Sequence, residues 1–147
     1  MTAVLPARSY YDHPCGIQAR HLAVCMDWSD GTAACYLWRR GRKPGEPLLS
    51  DLGKAMDTLR FFDDDPGLRP HPVDLSAGRP AAVFCAWVAS PQAEAFYAGL
   101  GDEGRVARAC DLIIQQIVTG QRKAARAALV ALIGEVSAPS TDAPSPL

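Results

Sequence analysis

Apolar residues recur along this chain at three- and four-residue spacing, the period that turns one face of a helix toward a core. After Pro14 and Gly16 the pattern covers about 17–27, with Ile17, Leu22, Val24, Cys25 and Met26 on the apolar side. Ser29, Asp30, Gly31 and Thr32 read as a turn and N-cap, because short polar side chains accept from the free N–H groups of a helix start. A second helix then spans about 31–40, with Ala33, Ala34, Leu37 and Trp38 inward and Gly41 at its C-cap. Residues 43–47 hold two prolines and a glycine and predict a turn. A third helix runs over about 48–62, where Leu48, Leu52, Ala55, Met56, Leu59 and Phe62 share a face and Ser50 or Asp51 caps the start.

Residues 63–80 carry Pro66, Pro70, Pro72 and Pro80 with Gly67 and Gly78, and mark an internal sub-boundary. The run 81–89 is almost wholly apolar; its alanines favour helix over buried strand. Ser90 and Pro91 suit the cap and first turn of a helix over about 91–99. Asp102 and Glu103 then place acids at the positive end of the next helix dipole. That helix presents Val106, Ala109, Leu112, Ile113, Ile117 and Val118 inward and breaks at Gly120. The last helix, 121–136, turns Ala124, Ala128, Leu129, Leu132 and Ile133 inward and Arg122, Lys123 and Arg126 outward. Residues 1–12 read as a flexible arm and 137–147, rich in Pro, Ser and Ala, as a disordered tail. The expected fold is all-α: five to seven short helices in an orthogonal or bundle-like packing, forming one helical domain over 13–136.

At 147 residues and 48% hydrophobic content, the chain has the means to bury a core. A formal net charge of -1 excludes a surface coated in cations for duplex DNA, so any anion site must be a local cluster. The charge is uneven. Residues 39–43 are basic, and Asp63, Asp64 and Asp65 are acidic, ending a helix in water. Five cysteines leave one unpaired in any intramolecular scheme, no CxxC occurs, and no stretch is long and apolar enough for a signal core or a membrane span. These features predict a cytoplasmic protein with reduced thiols and no membrane association.

Candidate chemistry centres on Arg39, Arg40, Arg42 and Lys43 at the predicted end of the second helix. Cations there complement the helix dipole, and arginine forks also suit phosphate. Tyr36 could line a pocket or stack on a base, with Trp38 as the core anchor. Asp51 and Lys54 are three apart on one helix. They form either a surface ion pair of about 0.2–0.5 kcal/mol or a Mg²⁺-linked carboxylate beside a phosphate-binding lysine. His13, Cys15, His21 and Cys25 hold nitrogen and sulfur ligands without a standard zinc spacing, so no metal site is assigned to them. No G-x-x-x-x-G-K-[ST] occurs, which excludes an ordinary P-loop kinase.

One ordered set of residues carries a resemblance. It comprises Asp12, His13 and Pro14; Gly16 and Ile17; Gly31; Tyr36, Leu37, Trp38 and Arg39; Gly41; Lys43; and Asp51 and Leu52 with Lys54 and Ala55. Over about 11–62 the chain thereby resembles a small phage-associated family of unknown function that is often labelled nucleotide kinase-like. Three family positions differ: Gln18 stands where the family has Glu, Thr32 where it has Asn, and Cys35 where it has Lys. The resemblance implies nucleotide binding and phosphorylation of a nucleoside monophosphate, with Mg²⁺ accompanying the nucleotide. Asp51 and Lys54 would then be catalytic and His13, Tyr36, Arg39 and Lys43 would bind substrate, joined by Arg40 and Arg42, which the motif leaves open and which their charge adds. The competing expectation is a non-enzymatic phage or prophage accessory protein. It would bind a host protein through its C-terminal helices, whose apolar surface also suits a homodimer.

Overall fold

The computed structural model describes residues 11–24, 26–60 and 79–138. Among these are seven helices and no strand: α1 (Ala19–Ala23), α2 (Trp28–Arg39), α3 (Leu48–Leu59), α4 (Arg79–Val88), α5 (Pro91–Gly99), α6 (Asp102–Val118) and α7 (Arg122–Ser137). The all-α expectation holds. Cys25, Phe62, Asp63, Asp64, Asp65, nearly all of the 63–80 boundary, and most of the arm and tail lie outside the described residues.

The first two helices differ from the expected ones. Helix α1 is a single short turn, and Val24, expected on its apolar face, is 81% exposed. Helix α2 starts at Trp28, with Asp27 extended before it, so Ser29, Asp30, Gly31 and Thr32 lie inside its first turns and form no turn or cap. Two contacts account for this. An added Cβ at Gly31 would sit 3.1 Å from the Ala23 carbonyl oxygen, so glycine here permits close crossing of α1 on α2. Asp30 is buried, and the Arg122 guanidinium of α7 binds it, with Nε to Oδ1 at 3.1 Å. Arg122, expected on the outer face, instead turns inward to this carboxylate. Helix α3 begins at Leu48 as expected, but neither Ser50 nor Asp51 caps it. Pro47 precedes it, and the Ser50 hydroxyl donates to Glu46 instead of capping.

The C-terminal helices follow the sequence pattern more closely. Residues 79–88 are helical, the Ser90 hydroxyl accepts from the Ala93 N–H at 3.3 Å, and Pro91 opens α5. Gly101 and Gly120 take positive φ at the two breaks. The inward faces match expectation at Ile113, Ile117 and Val118 of α6 and at Leu129 and Leu132 of α7, and differ at other positions. On α7 the buried residues are Ala125, Leu129 and Leu132, and Ala124 is exposed. On α6 Leu112 is 41% exposed, and the buried positions include Gly104, Ala107, Asp111, Ile114 and Val118.

Helix α2 packs against α1, α3 and α6, while α3 also packs on α7, and α6 on α4, α5 and α7. One apolar core therefore joins both halves of the chain. It holds Leu22, Leu37, Trp38, Leu52, Leu59, Phe84, Ile113, Ile114, Ile117 and Leu129. A smaller cluster of Ala93, Tyr97 and Ala107, with Trp87 and Phe96 against it, closes the α5–α6 corner. No helix among the described residues is long and apolar enough to cross a membrane.

Gly104 controls that corner. A Cβ on Gly104 would fall 1.9 Å from the Tyr97 carbonyl oxygen, a backbone atom that moves only if α5 moves. Gly134, by contrast, has nothing within 4 Å of the same position. Gly104→Ala is expected to destabilise the fold by about 1–3 kcal/mol through overpacking. Gly134→Ala is expected to stabilise it by roughly 0.5–1 kcal/mol through helix propensity. Urea denaturation of the two variants checks the opposite signs.

Candidate functional site

The residues singled out by sequence fall into two internal clusters and one helix end. In the first cluster the Arg39 guanidinium crosses from α2 to Asp51 of α3. Both its Nε, at 3.0 Å, and its Nη2 donate to Asp51 Oδ1. The other carboxylate oxygen, Oδ2, accepts the Gly41 N–H at 2.7 Å. Asp51 has no exposed surface. The pairing raises the Arg39 pKa above its ordinary value, so this cation stays charged. Lys54 pairs with Glu46 at 2.8 Å rather than with Asp51, and that bond lowers the Glu46 pKa and raises that of Lys54. The Tyr36 ring lies under both cations, 5.2 Å from the Arg39 guanidinium carbon and 5.8 Å from the Lys54 ammonium. Asp51 thus clamps α2 to α3, while Tyr36, Glu46 and Lys54 sit at the partly exposed edge of that clamp.

The second cluster gathers around Asp111 of α6, also fully buried. Its Oδ2 accepts from His13 Nε2 at 3.0 Å and from the Tyr97 hydroxyl at 2.6 Å. Its Oδ1 accepts from Arg40 Nη1 at 2.6 Å. His13 Nδ1 accepts the Cys15 N–H at 3.0 Å, which assigns the ring proton to Nε2. The imidazole is walled by aromatic rings, with centroids 4.5 Å away for Trp38, 4.8 Å for Trp87 and 5.5 Å for Phe84. Burial opposes the charge on Asp111. The His13 hydrogen bond and the Arg40 guanidinium outweigh it, with Tyr97 adding to them, and the carboxyl is held below its ordinary range. Burial and the same negative charge push the Tyr97 hydroxyl upward.

The basic helix end is therefore divided. Arg40, in left-handed backbone at φ 36°, turns to α6 and also donates to the Ala107 carbonyl at 3.3 Å. Arg42 folds back on the last turn of α2 and donates to the carbonyls of Arg39, at 3.3 Å, and Trp38. It also reaches the Asp12 carbonyl at 2.8 Å. These are the carbonyls that a helix end leaves without intrahelical partners. Tyr11 and Asp12, expected in the flexible arm, are consequently held, since Trp38 Nε1 donates to the Tyr11 carbonyl at 2.6 Å. Lys43 lies in the turn beyond, half-exposed.

Next to this helix end is a cleft of about 500 Å³ between the α2–α3 turn and the α5–α6 corner. Arg40, Gly41 and Arg42 line one side, and Asp102 and Glu103 at the start of α6 line the other. Leu48, Phe96, Leu100, Val106 and Ala107 supply its apolar lining. Of the sequence candidates, only Arg40 and Arg42 reach this cleft. Asp111, Tyr97 and Phe96 belong to no local motif in the sequence. Asp111 did leave a signal, because it falls on the helical stripe of Ala107, Ile114 and Val118 and puts an acid among core positions.

No set of three or more His, Cys, Asp or Glu side chains among the described residues is arranged to hold a metal ion. Both ring nitrogens of His13 are engaged, and His21 Nδ1 accepts the Gln18 N–H at 3.0 Å. Cys15 is a free thiol with its pKa pushed up by burial, the opposite of an activated nucleophile. Comparison with protein-family models, with curated proteins and with solved structures finds no match.

Asp111→Asn leaves Arg40 facing a neutral partner and is expected to cost about 3–5 kcal/mol at pH 7, as breaking a buried ion pair does. The folded pKa of Asp111 is depressed, so its contribution is fully present above the unfolded value of about 3.9 and is lost as pH falls through the folded value. The gap between wild type and variant should narrow below pH 4. Urea titrations between pH 3 and 7 measure it.

Proposed function

We propose that the protein binds a nucleotide in the cleft between the α2–α3 turn and the α5–α6 corner. The observation that carries this reading is the juxtaposition of two arginines, two carboxylates and an apolar lining around one volume of about 500 Å³. That volume lies in the usual range for small-molecule sites. The arginine side suits a phosphoryl group, and the apolar lining, with Phe96, suits a base. The resemblance of residues 11–62 to a nucleotide kinase-like family supports the same ligand class.

The charges also argue for Mg²⁺ as a companion. Arg40 and Arg42 are offset by Asp102 and Glu103, and Asp111 stands behind Arg40, so a phosphate meets no net positive cleft. Asp102 and Glu103 make no ion pair among the described residues and are exposed. Two carboxylates are too few for a protein cage, but they fit the habit of Mg²⁺, which takes one or two protein carboxylates together with substrate phosphates. In this reading the carboxylates near a metal are Asp102 and Glu103, because both oxygens of Asp51 are bound inside the α2–α3 clamp. Phosphorylation of a nucleoside monophosphate would then rest on positioning and charge neutralisation.

The second reading is a non-enzymatic phage or prophage accessory protein that docks a host protein, or a second copy, through α4, α6 and α7. Its support is the exposure of Val83, Leu112 and Val130 on those helices, 37%, 41% and 60% respectively.

Calorimetry of the full chain with nucleoside mono- and triphosphates, with and without Mg²⁺, tests the first reading. Binding is expected, and it should be stronger with Mg²⁺. Arg42→Ala should weaken it by about 1–3 kcal/mol. Asp102→Asn combined with Glu103→Gln should abolish the Mg²⁺ dependence. No binding at millimolar nucleotide removes the reading. Light scattering of the same sample tests the homodimer.

A further inference from the structure

We infer that Asp111 is a positioning residue for the cleft, acting through Arg40. Arg40 is the one described residue that both lines the cleft and bonds the buried carboxylate. Its side chain is only 7% exposed and that of Asp111 is 0% exposed, so the pair is sheltered from competing water. The backbone of Arg40 is left-handed, at φ 36° and ψ 57°. That conformation is costly for any residue with a Cβ and persists where surrounding contacts impose it. The contacts here are the Arg40 bonds to Asp111 and to the Ala107 carbonyl, both on α6. Gly41 follows at φ 81°, and its absent Cβ leaves room for Leu48, which also lines the cleft.

The consequence is a latch. Asp111 pulls Arg40 onto α6 and draws the start of the α2–α3 turn with it, which sets the distance between the basic and acidic sides of the cleft. The other oxygen of Asp111 is held by His13 and Tyr97, so the carboxylate itself cannot follow a ligand. A phosphoryl group entering the cleft would meet an Arg40 already oriented and partly neutralised. The charges around this guanidinium are Asp111 on α6, Arg42 in the turn, and Asp102 and Glu103 across the cleft.

The binding arm of this inference rests on the nucleotide reading; a second arm does not. Three full-length proteins are compared: wild type, Arg40→Gly and Asp111→Asn. Arg40→Gly removes the guanidinium and relieves the left-handed backbone, so it is expected to stay folded. Affinity for AMP and GMP with Mg²⁺ should fall about tenfold in both variants, as loss of one charge-assisted contact would produce. The double variant should bind no more weakly than either single one, since both act through one contact. Wild-type affinity in Arg40→Gly would overturn the proposal, and so would additive losses in the double variant. Hydrogen exchange supplies the ligand-free arm. Amides 41–48 should exchange faster in both variants, by a larger factor than the amides of α7, which report only the global loss of stability. If wild type binds neither nucleotide, the nucleotide reading fails, and unchanged exchange at 41–48 would separately overturn the latch.

Discussion

A carboxylate without exposed surface is tolerated inside a protein only when donors replace the water it has lost. Asp111 meets that requirement with three donors drawn from distant parts of the chain: His13, 98 residues away, Arg40, 71 away, and Tyr97, 14 away. Each donor fixes something different. His13 seats the segment before α1 among Trp38, Phe84 and Trp87. Arg40 brings the end of α2 against α6. Tyr97 sets the α5–α6 corner, whose closeness Gly104 permits. The tertiary relation among these elements therefore depends on one buried negative charge, which an apolar core of the same size would leave less specified.

The other buried charges follow related rules with different outcomes. Asp51 accepts from Arg39 and from the Gly41 N–H, so the clamp between α2 and α3 also finishes the turn between them. Asp30 is paired with Arg122, yet burial pushes its pKa up more than the guanidinium pulls it down. Burial therefore offsets the attraction to Arg122, and the pair contributes register between α2 and α7 more than stability. The same pair explains why α2 starts earlier than its local sequence predicts. Ser29, Asp30 and Gly31 have the composition of a turn. What keeps them helical is Arg122, 92 residues later, and the backbone of Ala23.

Legibility in the sequence follows the range of the forces involved. Helices α4 to α7 were readable because their breaks are local: Pro91 at a first turn, and Gly101 and Gly120 at positive φ. Trp38 was readable as core because its neighbours Ala33, Ala34 and Leu37 share its environment. The roles of the basic residues were not readable in this way. The motif around Tyr36 to Lys43 shows cations beside aromatics, and nothing local says which partner each cation meets. Arg39 takes an acid twelve residues on, and Arg40 takes one on a different helix. The remainder of the buried α6 face was legible in principle, since Asp111 falls in a helical stripe with Gly104, Ala107, Ile114 and Val118.

The same accounting changes what the resemblance can mean for this chain. Of its quoted residues, Trp38, Arg39, Gly41 and Asp51 make contacts within the first half of the chain, and His13 reaches Asp111 of α6. A pattern of this kind can be shared because a shared scaffold needs it, whatever ligand the scaffold serves. Ligand choice would then reside where the scaffold meets the second half of the chain. There Arg40 and Arg42 face Asp102 and Glu103 across an apolar lining that includes Phe96 and Leu100. The first half alone supplies only one side of that cleft. The cleft is therefore built at the contact between the halves, where Asp111 bonds both His13 and Arg40 beside the shared apolar core.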